Sequence, residues 1–462
     1  MRRLESLKRV CVLWLSLAGL LLETAVYAYI WFRNYYPIVN RFNLGLKFFF
    51  KGHLLIIAIY FVLLFFFTST YGGLKIGYLK PGDVFLSQLV SLCIVDVITY
   101  FQISLMSNRL VPVVYFAQAL VLQLLISGIW TAFCNRVYRR VFPPREMLLV
   151  HGHRSIEDIL RKFESRRDKY RITKCVNKEG IWKIQEEIDS GFHAVVLWDI
   201  STEDRNKLLK YCYSRSVRVY MMPKIPDVLI AGADQLHLFD TPIFLTREYA
   251  LTVEQRMAKR MIDLVLSLVL TILTSPIMLI TAICIKCYDG GPILYKQTRC
   301  TCGGREFRIM KFRSMKVDAE KDGVARLASR NDSRITPIGK FIRMVRIDEL
   351  PQLFNILMGD MSFIGPRPER PEIIAQYVEQ MPEFVFRMKV KAGLAGYAQV
   401  YGKYNTTPYD KLKLDLSYIE NYSLWLDLKL MLLTLKILIK PESTEGVDSN
   451  QTTAMKNGED RK

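Results

Sequence analysis

Apolar residues gather in the first 135 residues of the chain and again near residues 261 to 285. Four runs, Val10 to Phe32, His53 to Thr70, Val84 to Leu105 and Val111 to Phe133, reach the length of about 17 to 25 residues that crosses a bilayer core as a helix. A cleaved leader is the alternative for the first run. No small-x-small cleavage site follows it, however, and Tyr29-Ile-Trp-Phe-Arg33 has the character of an interfacial anchor. Between residues 146 and 240 the period changes. Met147 to Val150, Ala194 to Trp198 and Val217 to Met222 are short β-rich runs separated by charged stretches of helical spacing, which predicts a small parallel α/β domain.

Charge orients this pattern. Arg2, Arg3, Lys8 and Arg9 precede the first run, Lys75 and Lys80 lie between the second and third, and Arg136, Arg139, Arg140 and Arg145 follow the fourth. The other connections carry Arg33, Arg41, Lys47, Lys51 and Arg109. The basic excess predicts a cytoplasmic N-terminus, with everything after residue 135 on that same side. Glu23 and Asp96 fall inside apolar runs, where ionisable groups are costly; interhelical pairing or a place near a helix end is expected, with transport as the alternative. The formal charge of +20 suits anionic lipid or phosphorylated substrates better than nucleic acid. The nine cysteines show no paired framework and are expected reduced. Cys284 and Cys287 with Cys300 and Cys302 draw a zinc site only weakly, since no His stands nearby. In the α/β region the turn His151-Gly-His-Arg-Ser155 lacks the Gly-x-Gly-x-x-Gly that lets a pyrophosphate approach the backbone. A scaffold, regulatory or dimerisation role is expected there.

The run Met261 to Ile285 is long enough to span. Yet Ser275-Pro276 sits near its middle, where Pro removes a backbone hydrogen bond and a Ser hydroxyl can satisfy the freed carbonyl. Both flanks are basic, Arg256, Lys259 and Arg260 before and Lys286, Lys296 and Arg299 after. A re-entrant hairpin over 259–286, entering and leaving on one face, accounts for both features better than a fifth span. Farther on, Lys429, Lys436 and Lys440 share about one face of an apolar helix, which suits the membrane interface or packing on the hairpin.

Candidate chemistry concentrates in Met344 to Pro368. Asp348-Glu-Leu-Pro351 reads as a helix start, with Asp348 as N-cap and Pro in the first turn. The same place offers an anion free N–H groups and a helix dipole, and a carboxylate there can hold Mg²⁺ against substrate phosphates. Arg343, Arg346 and Arg367 are close in sequence, and Lys311 and Arg313 add cationic partners suited to phosphate. Adjacent carboxylates cannot both face one point on a helix, so one could attack phosphorus while the other orients it or binds metal.

From about Lys259 onward the chain resembles the bacterial sugar transferase family, the monotopic phosphoglycosyl transferases or polyprenyl-phosphate hexose-1-phosphate transferases. The motifs carrying the resemblance are Lys259-Arg260-x-x-Asp263, Ser275-Pro276, Gly291-Pro292, Gln297-x-Arg299, Lys311-Phe-Arg-Ser-Met315, Arg334-Ile-Thr-Pro-Ile-Gly339, Asp348-Glu-Leu-Pro-Gln-Leu353, Gly359-Asp-Met-Ser362, Gly365-Pro366-Arg367-Pro368 and Gly396-x-Ala-Gln-Val400. The four-run N-terminus is similar to the long members, resembling undecaprenyl-phosphate galactose or glucose phosphotransferases. The resemblance implies that Asp348 attacks the β-phosphorus of a UDP-sugar, with Glu349 assisting and Mg²⁺ contacted by Asp348. UMP would leave, and undecaprenyl phosphate would take the sugar phosphate in the first membrane step of O-antigen, capsule or exopolysaccharide synthesis. Arg343 and the loop Pro366-Arg367-Pro368 occupy the family's phosphate and nucleotide positions. Thr301, Cys300, Cys302 and Arg346 depart from the family pattern; they bear on local loop conformation and donor preference and leave the dyad untouched.

The expected architecture is a membrane α-helical bundle of four spans (1–145), a small α/β Rossmann-like domain (146–250), an α/β monotopic catalytic domain with a re-entrant helical hairpin (251–442) and a disordered tail (443–462). The implied setting is the cytoplasmic face of the bacterial inner membrane, with UDP-sugar, undecaprenyl phosphate and the bilayer as partners, a homodimer as an option and nucleic acid excluded. The rival readings are a glycosyltransferase that releases UDP, whose usual Asp-x-Asp is absent here, and a non-catalytic membrane scaffold.

Overall fold

The computed structural model describes residues 2–42, 50–152, 154–178, 180–316, 334–402 and 406–438; the tail expected from residue 443 lies outside them. The chain divides into two compact units, Met1–Met222 and Pro223–Lys462.

The first unit opens with α1 (Arg2–Ile30), which runs through a π-turn at Trp31–Tyr35 into α2 (Tyr36–Phe42). It continues with α3 (Phe50–Tyr71), α4 (Pro81–Met106) and α5 (Val114–Val141). Each of the four predicted apolar runs falls on a helix long and apolar enough to cross a membrane. Their outward faces carry Leu21, Leu55, Phe101 and Leu122, as lipid would demand. The interior is polar. Tyr60 Oη donates to Asp96 Oδ1 at 2.8 Å between α3 and α4, and Gln123 Nε2 of α5 donates to Tyr60 Oη at 2.8 Å and to the Glu23 carbonyl at 3.0 Å. Asp96 therefore has an interhelical partner, and Glu23 is buried beside the same network. Lys8 lies over the rings of Tyr138 and Phe142, while Arg166 donates to the carbonyls of Gly77 and Tyr78. The start of α1, the 72–80 loop and the end of α5 thus share one end of the bundle, the grouping that the basic flanks predict.

The same unit contains β1 (Arg145–His151), α6 (Glu157–Glu164), β2 (Tyr170–Asn177), α7 (Ile181–Asp189), β3 (Ala194–Trp198), α8 (Thr202–Ser214) and β4 (Arg218–Met221). The strands form one parallel sheet in the order β2-β1-β3-β4. Alternation buries both faces. Leu148, Val150, Val195 and Leu197 pack on Ile184, Ile188 and Leu208, while Met147, Leu149, Ala194 and Val196 pack on Ile159. Gly152 is needed where the β1 turn meets β3, because a Cβ there would lie 1.9 Å from the Asp199 carbonyl. That approach closes the turn where a dinucleotide fingerprint would leave room.

The second unit starts with α9 (Ile225–Ala231) and a hairpin of β5 (Asp234–Leu238) and β6 (Thr241–Leu245). Residues 223–250, which the sequence pattern attaches to the α/β domain, belong here instead: Ile225 and Val228 join the second unit's core, and Gly232 lies against Glu420. Then come α10 (Val253–Asp289), β7 (Leu294–Cys300), β8 (Glu306–Phe312), α11 (Pro337–Met344), α12 (Gln352–Met358), β9 (Met361–Ile364), α13 (Pro371–Gln380), β10 (Ala392–Ala395), α14 (Tyr397–Tyr401), α15 (Pro408–Glu420) and α16 (Leu424–Leu438). β7 and β8 pair antiparallel, β9 and β10 parallel. Leu353, Ile356, Met361, Phe363, Leu412 and Leu416 lie in the core between them.

The residues of the expected hairpin, 259–286, lie within a single helical segment that holds Pro276 in its interior. Thr252 opens α10 with a reciprocal cap, accepting from Gln255 N while Gln255 Oε1 accepts from Thr252 N, and left-handed Gly290 closes it. Pro276 leaves the Ile272 carbonyl without its usual donor, and Ser275 Oγ supplies one at 2.8 Å. The α10 stripe Asp263, Ser267, Thr281 and Ile285 is buried, whereas Leu268, Val269, Ile272, Leu273, Leu279 and Ile280 are exposed. Both ends are fixed to the same unit. Lys259 Nζ pairs with Asp427 at 2.6 Å, Arg260 donates to the Ile356 and Leu357 carbonyls, and Asp263 Oδ1 accepts from Ser362 Oγ and Phe363 N, both at 3.0 Å. At the far end Ile285 packs with Phe312 and Ile342, and Asp289 pairs with Arg313. Through Asp427, α16 packs on α10, one of the two placements its lysine pattern suits; Lys436 is buried, and Lys440 lies outside the described residues.

Candidate active site

The carboxylate pair sits between α11 and α12, but not at a helix cap. After α11, Arg346 adopts a left-handed backbone (φ 60°) and turns the chain into a 3₁₀ turn, Ile347–Glu349. A non-glycine residue there is strained, a feature common at functional sites. Helix α12 begins only at Gln352, with Pro351 as its N-cap. The N–H groups expected to be free are used locally, Glu349 N on the Arg346 carbonyl and Leu350 N on the Ile347 carbonyl. Ile347 and Leu350 pack inward, which holds the turn in place. The anion partners near Asp348 are therefore side chains rather than a helix terminus.

Three cations meet Glu349. Lys311 Nζ of β8 lies 2.9 Å from Oε1, Arg367 Nη2 lies 3.3 Å from Oε1, and Arg346 Nη1 lies 3.8 Å from Oε2. Burial alone would raise the Glu349 pKa, but Lys311, Arg367 and Arg346 outweigh it and hold the group well below the ordinary glutamate range. Asp348 goes the other way. Burial, then the charge of Glu349, pushes it up to about 6 against the opposing pull of Lys311, Arg343 and Arg346. Asp348 is buried, and no side chain among the described residues donates a hydrogen bond to it. Glu349 is thus a fixed anion that organises the cations, and Asp348 is the carboxylate left available for reaction.

The structure brings Lys311, Arg343, Arg346 and Arg367 to the dyad but assigns Arg313 elsewhere, to Asp289 at the end of α10. Among the described residues, buried Nη1 of Arg343, and Nε and Nη1 of Arg313, have no hydrogen-bond partner. The Pro366-Arg367-Pro368 loop is held by its backbone. Gly393 N donates to the Pro366 carbonyl and Gly365 N to the Ala395 carbonyl, both at 2.9 Å. A Cβ on Gly393 would fall 2.1 Å from Gly365 N, which is why glycine stands there. Two arginines complete the brace: Arg299 Nη1 donates to the Pro368 carbonyl at 3.2 Å, and Arg387 Nη2 donates to the Arg367 carbonyl at 3.1 Å. Glu369 lies 3.7 Å from Arg299 and 3.8 Å from Arg387, and Asp415 lies 2.8 Å from Arg387. Arg387, Glu369 and Asp415 escape sequence reasoning because they come from separate elements and form no local motif. Lys259, Arg260, Ser275 and Pro276 lie along α10 as anchors and carbonyl partners and do not contact the dyad.

Among the described residues no cluster of three His, Cys, Asp or Glu side chains could hold a metal by itself. One carboxylate plus substrate phosphates is an ordinary Mg²⁺ environment, and Asp348, with no side-chain donor upon it, fits that role.

A family model described as bacterial sugar transferase matches residues 254–441. The chain is 36% identical over 276 residues to a UDP-N-acetylgalactosamine-undecaprenyl-phosphate N-acetylgalactosaminephosphotransferase of Aeromonas hydrophila, covering 56% of this chain and 62% of that protein. It is 38% identical over 208 residues to a UDP-glucose:undecaprenyl-phosphate glucose-1-phosphate transferase of Escherichia coli (strain K12), covering 44% and 43% respectively. A protein of the same description from Caulobacter vibrioides is 40% identical over 190 residues, which are 40% of this chain and 71% of that protein. The match thus spans less than two thirds of the first two relatives and more than two thirds of the third.

Proposed function

Because the chain belongs to the bacterial sugar transferase family, we propose that it transfers a hexose-1-phosphate from a UDP-sugar to undecaprenyl phosphate, a first membrane step in surface-glycan assembly. The observation that carries this reading is the division of labour in the dyad: a buried Asp348 with no side-chain donor upon it, beside a Glu349 held by three cations. An Asp348 oxygen forms a bond to the β-phosphorus, the bond from that phosphorus to the bridging oxygen breaks, and UMP leaves with the bridging electron pair. A phosphate oxygen of undecaprenyl phosphate then attacks the same phosphorus and returns Asp348 as carboxylate. Arg367 and Arg343 would meet the diphosphate, with Lys311 and Glu349 fixing the charge around it. Asp348 would hold Mg²⁺ against the diphosphate, and the ion when bound supplies charge neutralisation.

In this reading the four N-terminal helices span the inner membrane, and α10 enters it and returns on the cytoplasmic side. Support for the latter is that both ends of α10 are bonded to one core while its middle exposes leucine and isoleucine. If straight, its 37 residues would extend about 55 Å, well beyond a bilayer core of about 30 Å. The test of the chemistry is to mix the protein with UDP-sugar without lipid acceptor and to digest it for mass spectrometry. A phosphosugar on the Asp348 peptide with one equivalent of UMP is expected; UDP as product, or UMP release by Asp348→Asn, would overturn the assignment. Cysteines placed at residues 258 and 289 test the topology, and labelling from opposite faces would restore a spanning helix.

A further inference from the structure

A second concentration of positive charge lies in the first unit, outside the chemistry above. Lys169, just before β2, has its Nζ 3.9 Å from the centroid of the Tyr78 ring and 5.2 Å from that of Tyr170, and among the described residues it has no ion-pair partner. Arg166 holds the Gly77 and Tyr78 carbonyls and pairs with Asp168 at 3.0 Å. Arg145 of β1 donates to Tyr220 Oη at 3.2 Å, and Lys8 of α1 lies 4.7 Å from the Tyr138 ring centroid. Burial, followed by the like charges of Arg166, Lys8 and Arg145, pushes Lys169 down to about 8. Asp168 is the one carboxylate facing Lys169 in this group, and it also faces Arg166 and Arg139.

An independent observation comes from Tyr138. Its residue is 3% exposed, its Oη has no hydrogen-bond partner among the described residues, and its electrostatic neighbours are Arg145, Arg166, Tyr78 and Tyr170. The ring is seated by Gly77, where a Cβ would fall 2.2 Å from it. An orphaned buried hydroxyl among cations is a donor without an acceptor. A carboxylate offers two oxygens in one plane, whereas a phosphate group offers oxygens in several directions and matches a set of Lys, Arg and hydroxyl donors converging from different elements.

We propose that Lys8, Tyr138, Arg145, Arg166 and Lys169 form a binding site for a phosphate group, carried either by an anionic lipid headgroup or by a free phosphate. The site lies where the 72–80 loop and the ends of α1 and α5 meet the α/β sheet, so its occupant ties the helices to that sheet. The full-length protein is reconstituted in nanodiscs of phosphatidylcholine alone or with added phosphatidylglycerol. Retained lipid is counted by native mass spectrometry, and inorganic phosphate is titrated into the first preparation by calorimetry. Selective retention of phosphatidylglycerol identifies the lipid source, and saturable phosphate binding identifies the free one. In whichever arm binds, Lys169→Gln and Tyr138→Phe weaken it about tenfold, the loss of one hydrogen bond to a charged group. Tyr138→Phe keeps the ring and the unliganded melting temperature, so its loss reports the hydroxyl. The proposal is overturned if neither ligand binds, if both variants bind like the wild type, or if Lys207→Gln, on exposed α8, weakens binding equally.

Discussion

Replacing Glu349 by Gln tests whether the two carboxylates share one electrostatic system. In the wild type, burial and the neighbouring Glu349 charge raise Asp348 from 3.8 to about 6, on the order of 3 kcal/mol against its anion. A protonated Asp348 cannot attack phosphorus, so kcat/KM for UMP release should fall about tenfold per pH unit below about 6. The Glu349→Gln substitution removes the like charge but leaves the burial. It also frees Lys311, Arg367 and Arg346 to act on Asp348, so every change has the same sign. The acid limb should move down by about one pH unit, roughly 1.4 kcal/mol. Lys311→Gln removes a cation that lowers Asp348, and its limb should move up. The assay is initial UMP release at subsaturating UDP-sugar from pH 4.5 to 8, with folding of each variant checked by its thermal transition. Limbs that stay together, or a Glu349→Gln limb that moves up, would refute the electrostatic argument.

Other expectations follow from the braces around the site. Asp263→Ala leaves Ser362 Oγ and Phe363 N without their buried acceptor, a loss of about 2 to 4 kcal/mol visible as a lower thermal midpoint in detergent. Lys259→Met should cost about 3 to 5 kcal/mol by stranding buried Asp427, and adding Asp427→Asn should recover part of that stability in a double-mutant cycle. Gly393→Ala should raise KM for the UDP-sugar more than it lowers kcat, because the added methyl pushes on Gly365 and displaces the Arg367 loop; unchanged steady-state constants would contradict that account. Arg387→Lys keeps the charge but loses the planar group whose Nη2 serves both the Arg367 carbonyl and Asp415 while Nη1 faces Glu369, so a similar KM effect with little change in the unfolding midpoint is expected.

Legibility in the sequence followed the range of the interactions. Span-length apolar runs, the β-rich periods of the α/β sheet and the Asp348-Glu349 pair are local patterns, and each appears where the residues predict it. The Ser275 hydroxyl also does what its place before Pro276 suggests, donating to the carbonyl that the proline frees. The helix start predicted at Asp348 failed for a tertiary reason: Ile347 and Leu350 pack inward and Arg346 takes a left-handed conformation, so Asp348 lies in a 3₁₀ turn. The allegiance of α9 depended on distant α15, and the brace of Arg387, Glu369 and Asp415 on residues from separate elements. Neither leaves a periodic trace in one stretch of chain.

The anchoring of α10 at both ends has a mechanical consequence. Bonded to the same core by Arg260 and Asp263 near one end and by Asp289 at the other, α10 cannot adjust its position independently of that core. Under the proposed insertion of α10, depth in the lipid and the height of Asp348 above the headgroups become a single coordinate. In that arrangement a change in acyl-chain length would be met by tilting the second unit, and hydrocarbon thickness would tune how readily the proposed lipid acceptor reaches the carboxylate.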